Sequence, residues 1–204
     1  MEPYSRLTAV AVPLDDANID TGRIFPSRFL RKPRSAGYHN YLFRDARFDE
    51  AGNERPEFIM NRAPYRSARI AVTGANFACG SSREPAVYAF VDSGFRCIVA
   101  PSFGEIFFSN CFRNGLLPVV LPGDEVLAIR AQLHASPGAE STVDLEQQTV
   151  LAPDGREHRF EIDSARKLRL TKGFDDAALA LEYLGEIEQF EKRHHEEWPW
   201  AAPQ

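Results

Sequence analysis

The chain has 204 residues, and several things are missing from them. No apolar run approaches the roughly 18 residues a membrane-crossing helix needs, so no membrane partner is expected. The start, Met1-Glu2-Pro3-Tyr4, has neither the basic nor the apolar region of a secretory leader, and the expected location is the cytoplasm. Positive charge is not in excess. With 24 Lys and Arg against 29 Asp and Glu the net charge is −5, which gives nucleic acid no general attraction to the surface. Cysteine is scarce. Cys79, Cys97 and Cys111 form no CxxC, which argues against a disulfide framework. Three thiols also fall short of an ordinary four-cysteine iron–sulfur site on this chain alone, and no metal site is expected. The phosphate-loop pattern GxxxxGK[ST] is absent, as are internal repeats and low-complexity linkers.

What remains is ordinary globular material, 44% hydrophobic and 26% charged, enough for a normal core. Leu7 to Leu14 reads as a strand ended by Asp15-Asp16. Residues 27 to 67 carry arginines, aromatics, Pro and Gly without clean periodicity, which predicts a long loop-rich region. The middle of the chain alternates. Strands are expected at Ala68–Thr73, Cys97–Pro101 and Leu116–Leu121. Helices are expected at 83–93, with Pro85 in the first turn, at 103–113, ended by Asn114-Gly115, and at 124–135. Strand–helix alternation of this kind predicts an α/β fold around a largely parallel sheet. Residues 141–163 alternate apolar and polar around Asp154-Gly155, a hairpin signal. Residues 175–197 read as one amphipathic helix. The expected organisation is one domain, 1–174, with a C-terminal helical extension, 175–204.

The stretch with most chemistry is Cys79-Gly80-Ser81-Ser82-Arg83, between a strand and a helix. The N–H groups at a helix start are unpaired and favour anions. Gly80 allows close backbone approach, the two hydroxyls can orient a ligand, and Arg83 can grip a carboxylate through two parallel bonds. That makes a carboxylate or phosphate pocket. A simpler reading stands beside it: serine is a common N-cap, and Arg83 is then a surface charge.

Two longer stretches bear on the choice. Residues 76–84, NFACGSSRE, are followed by GFRCIVAPSFGEIFFSNCFRNGLLPV, and the first half carries AVPLDDANIDTGRIFPSRFL. In this order and at these separations they resemble the small subunits of 3-isopropylmalate dehydratases, similar to the swivelling β/β/α domain of aconitase. The resemblance runs over roughly residues 5 to 175. It implies a separate large subunit that carries a [4Fe–4S] cluster, and a small subunit that binds no cofactor itself and completes the site. It implies further that Ser81 is the catalytic serine, that Arg83 clamps a substrate carboxylate, and that Ser82 supports it. Asp20, Thr21 and Arg31 are then candidate contacts for a hydroxy-carboxylate substrate. A serine alkoxide needs positive charge close by, which Arg83 and a helix start can supply.

The sequence also departs from that pattern. Gly22 stands where the family's NxDTD has its second acid, and Pro85 where SSREH has histidine. The 31–38 loop, expected to choose the substrate, reads Arg-Lys-Pro-Arg-Ser-Ala-Gly-Tyr. These departures keep two rivals in view: a related maleate, citraconate or dimethylmalate hydratase, and a non-catalytic carboxylate-binding subunit. Arg31, Lys32 and Arg34 read either as a contact for a second carboxylate or as a solvated charge run. Asp20 and Thr21 read either as site residues or as turn formers. Cys79 reads as a packed small residue beside the site. His194 and His195 read as a polar helix end, since adjacent helical residues point in different directions.

Overall fold

The computed structural model describes residues 1–201. Its centre is a seven-stranded sheet in the order β4-β3-β2-β1-β5-β6-β7. The strands are β1 (Arg6–Leu14), β2 (Ile70–Thr73), β3 (Cys97–Ala100), β4 (Leu117–Val120), β5 (Glu140–Asp144), β6 (Thr149–Leu151) and β7 (Glu157–Arg159). Strands β1 to β4 run parallel, with Val12 opposite Ala71, Val72 opposite Val99 and Ile98 opposite Pro118. Every residue of β2 and β3 is buried, as parallel strands covered on both faces require. Pro118 lacks a donor and sits on the edge strand, where the ladder needs none on its outer side.

The helices are α1 (Thr21–Ile24), α2 (Arg44–Arg47), α3 (Glu84–Asp92), α4 (Glu105–Arg113), α5 (Gly123–Ala135), α6 (Ser164–Lys172), α7 (Asp176–Leu181) and α8 (Leu184–Glu197). Side-chain alternation along β2 and β3 feeds two cores. Ala71, Ile98 and Ala100 pack with Val87 and Phe90 of α3 and Phe107 of α4. Ile70, Val72, Cys97 and Val99 pack on the other face with Val126, Ile129 and Leu133 of α5.

The antiparallel addition after Gly138 has three strands rather than a single hairpin. A tight turn through Gln148, at φ 57°, joins β5 to β6, and the Asp154-Gly155 turn joins β6 to β7. The loop-rich region is ordered by aromatic packing rather than by long elements. Phe29 stacks on Tyr41 at 4.3 Å, and Phe25 meets Tyr38 at 4.8 Å. Short 3₁₀ turns at Ser27–Phe29, Arg34–Ala36 and Tyr38–Tyr41 lie between them.

The helix expected over 175–197 is instead two. It breaks at Glu182-Tyr183, and Leu181, Tyr183, Leu184, Ile187 and Phe190 stay exposed. The short helix α6 had no separate expectation. It is capped by Asp163, whose carboxylate accepts from Arg166 N, and ends at Gly173 in the left-handed region. Among the described residues no helix is long and apolar enough to cross a membrane.

Candidate active site

Three segments meet beyond the ends of β1, β2 and β3: residues 18–25, 74–83 and 102–104. The middle one is the most contorted part of the backbone. Asn76, Ala78 and Gly80 alternate into the left-handed region at φ 55°, 57° and 92°. For Ala78, buried and carrying a Cβ, that conformation is strained and must be held from outside. It is held on both sides. Phe77 bridges to Phe103, Asn76 N donates to Ser102 Oγ at 2.8 Å, and Gly104 approaches the Ala78 carbonyl where no side chain would fit. On the other side Asp20 bridges to Cys79, Thr21 N donates to the Cys79 carbonyl at 2.9 Å, and the Asn76 amide donates to Asn18 Oδ1 at 2.8 Å.

This brace presents Ser81. The Thr21 hydroxyl, itself buried, donates to the Ser81 carbonyl at 2.8 Å and fixes the backbone that carries the serine. The Ser81 side chain is exposed and lines a cavity of about 350 Å³ with Asn76, Cys79, Gly80, Phe103 and Ile106. Ser82 follows, also exposed.

Neither serine caps α3. The N-cap is Arg83, at φ −132°, and no side chain closes that helix end. The reading of these serines as helix caps is thereby corrected. So is the weight given to the helix start as an anion holder, because Pro85 has no N–H and Ala86 N turns back to the Arg83 carbonyl at 3.0 Å. The positive charge in this site is Arg83 itself. Its side chain is half-buried and crosses α1. Among the described residues it makes one hydrogen bond, from Nη1 to the Phe25 carbonyl at 3.1 Å, and no ion pair. Phe25 gave no sign of this in the sequence, since its contribution is a main-chain oxygen.

Asp20 and Thr21 are structural in the geometry they show. Asp20 is the N-cap of α1, its Oδ1 accepting from Gly22 N at 2.6 Å and Arg23 N at 2.9 Å. The structure thus brings Asp20, Thr21, Ser81, Ser82 and Arg83 together. It does not tie Arg31 to them by any hydrogen bond or ion pair among the described residues, and Arg31 stands exposed. The basic cluster divides. Arg34 is engaged by Asp92 of α3, with Nη2 to Oδ1 at 2.5 Å and Nε to Oδ2 at 3.1 Å, and lies 4.2 Å from the Tyr88 ring centre. Arg34 is therefore an anchor of the 31–38 loop rather than a free substrate contact. The Lys32 carbonyl is held by the Tyr38 hydroxyl at 2.7 Å.

The thiols are not placed as a ligand set. Cys97 and Cys111 are fully buried, and burial pushes both thiols well up, so they stay protonated. Cys79, partly exposed, forms part of the cavity wall beside Ser81. Among the described residues no three His, Cys, Asp or Glu side chains are grouped to hold a metal ion, His194 and His195 included.

The model of the aconitase C-terminal domain matches residues 1–124, and a LeuD model matches residues 128–164. The 3-isopropylmalate dehydratase small subunit of Dinoroseobacter shibae is 45% identical over 98% of this chain and 100% of its own length. That of Rhodospirillum rubrum is 46% identical over 98% of this chain and 97% of its own. The crystal structure of 3-isopropylmalate dehydratase (leuD) from Methanocaldococcus jannaschii shares the fold, with a TM-score of 0.62 at 23% identity over 92% of this chain and 98% of that one. The chain belongs to the family of 3-isopropylmalate dehydratase small subunits, built on the aconitase C-terminal domain.

Proposed function

We propose that this chain is the small subunit of a hydro-lyase that interconverts 2- and 3-isopropylmalate in leucine biosynthesis, with Ser81 as its base and Arg83 as its carboxylate clamp. The observation that carries the proposal is the state of Arg83. A half-buried guanidinium next to two exposed serines bonds a main-chain carbonyl and, among the described residues, pairs with no carboxylate. Partly desolvated charges are normally paired. A substrate carboxylate supplies the missing partner, and a bidentate grip fixes its orientation.

The rest of the chemistry follows from that pose. Ser81, on a backbone fixed by Thr21, takes the proton from the carbon beside the bound carboxylate, and hydroxide departs from the neighbouring carbon. The alkene so formed is rehydrated at the other carbon, Ser81 returning its proton. Proton transfer by a positioned group is worth about 10²–10⁴-fold. The positive charge of Arg83 favours the ionised serine. Ser82 adds a hydroxyl donor. Arg31, exposed and without a carboxylate partner among the described residues, is available to a second carboxylate, with Lys32 beside it. Asp20 and Thr21 serve the substrate by holding the 74–83 segment in place.

The large subunit is the partner this account requires, and it is the proposed carrier of a [4Fe–4S] cluster. When bound there, the cluster supplies a Lewis acid for the departing hydroxyl. The residues of this chain fit that division, because two of its three thiols are buried and protonated.

Reconstitution with the large subunit tests the proposal. The assembled pair turns over 3-isopropylmalate, and this chain alone does not. Binding of the substrate by the assembled pair without turnover would contradict it and favour a carboxylate-binding subunit.

A further inference from the structure

Gly22 occupies the second position of α1, and its backbone is not in the left-handed region. No conformational need explains a glycine there, and in a helix glycine costs about 0.5–1 kcal/mol relative to alanine. Space explains it. A Cβ at this position would stand 2.8 Å from Asp20 Oδ1 and 3.1 Å from Arg83 Nη1, both closer than ordinary contact. The neighbour that matters is Arg83. Its guanidinium crosses α1 above Gly22 to reach the Phe25 carbonyl, at the far end of the same helix. In the pose Arg83 holds in this chain, which lacks the family's second acid at 22, a side chain there lies across that path.

We infer that Gly22 is a positioning residue for Arg83. The bare backbone lets the guanidinium lie flat across α1, and the Phe25 carbonyl holds one N–H while the others stay available to a substrate carboxylate. Asp20 lies on the other side of the same point. Its Oδ1 is turned to the Gly22 and Arg23 N–H groups, and among the described residues it makes no ion pair with Arg83. Gly22 therefore acts on the part of the substrate that every hydroxy-carboxylate shares, and on affinity rather than on choice of side chain. This inference rests on Arg83 as the carboxylate clamp.

The test uses the assembled two-subunit enzyme with 3-isopropylmalate, and compares Gly22→Ala, Arg83→Lys and the double variant. The atoms a Cβ meets are the ends of two side chains, so Gly22→Ala folds, and its melting temperature moves little because alanine's gain in a helix offsets the shift forced on the Asp20 cap. It raises KM about tenfold with kcat nearly unchanged, because the clamp is displaced by a fraction of an ångström. In the Arg83→Lys background the same change raises KM by less than about twofold, the two residues acting through one contact. An unchanged KM in Gly22→Ala, or an equal increase in both backgrounds, would overturn the inference. So would loss of folding in Gly22→Ala, which would make the glycine a requirement of the fold. If Arg83→Lys raises KM and Gly22→Ala does not, the clamp stands and this inference alone fails. If Arg83→Lys leaves KM unchanged, the clamp fails and takes the inference with it.

Discussion

The Thr21 hydroxyl donates to the carbonyl of Ser81 at 2.8 Å, across 60 positions of sequence. One bond thus joins the first helix of the chain to the residue proposed as the base. Thr21→Val keeps the shape and removes the donor. The expected loss of stability is modest, about 0.5–1.5 kcal/mol for one hydrogen bond. The expected loss of turnover is larger, about tenfold or more, because the Ser81 backbone is no longer fixed. Thr21→Ser restores both. Denaturant unfolding and kcat, measured on the same preparations, check this. Equal behaviour of Val and Ser variants in turnover would show that the bond does not position Ser81.

The 31–38 loop gives a second prediction, because its two free-standing arginines in the sequence have different fates in the fold. Arg34 pairs with Asp92 and lies on Tyr88, so Arg34→Ala loosens the loop from α3. The pair is partly exposed, and its loss costs about 1 kcal/mol at most. Arg31→Ala leaves the melting temperature unchanged and weakens substrate binding. A scan of melting temperature and KM for both variants separates them. Should Arg31→Ala leave KM alone while Arg34→Ala raises it, the second carboxylate is read by the anchored end of the loop.

Much of this was legible in the chain before folding. Apolar runs fixed β2, β3 and β4 to within two residues, and Pro85 sits in the first turn of α3 as its ring allows. The cluster around Ser81 could be read because its residues are contiguous. The division of the arginines could not, since Asp92 lies 58 positions from Arg34 and nothing local pairs them. The same holds for Thr21 and Phe25. One is buried and tied to a distant carbonyl, and the other contributes its main chain, which carries no side-chain signal. The serines mislead for a related reason. Their position before a helix suggests capping, but the strained 76–80 segment ends in bends that leave both side chains exposed, and Arg83 takes the cap. At the C-terminus the amphipathic pattern is real, yet the break at Glu182-Tyr183 comes where no strong helix breaker stands.

Thiol reactivity gives a third prediction. Burial raises the Cys97 and Cys111 thiols, so in the folded chain they stay protonated and shielded and the thiolate, the reactive form, is scarce. Cys79 is partly exposed. A thiol reagent at neutral pH therefore labels one cysteine in the native chain and three after unfolding. Substrate bound to the assembled enzyme slows that one reaction, because Cys79 shares a cavity with Ser81. Fast labelling of all three in the native state would contradict the packing of both cores.

The most direct measurement is the turnover of 3-isopropylmalate by the assembled enzyme carrying Ser81→Ala. The side chain is exposed and makes no hydrogen bond among the described residues, so the variant assembles and melts as the wild type does. The account predicts that kcat falls by about 10²–10⁴-fold while KM changes little, since Arg83 still holds the carboxylate. Near-normal kcat in Ser81→Ala would contradict it, and would place the base on another residue.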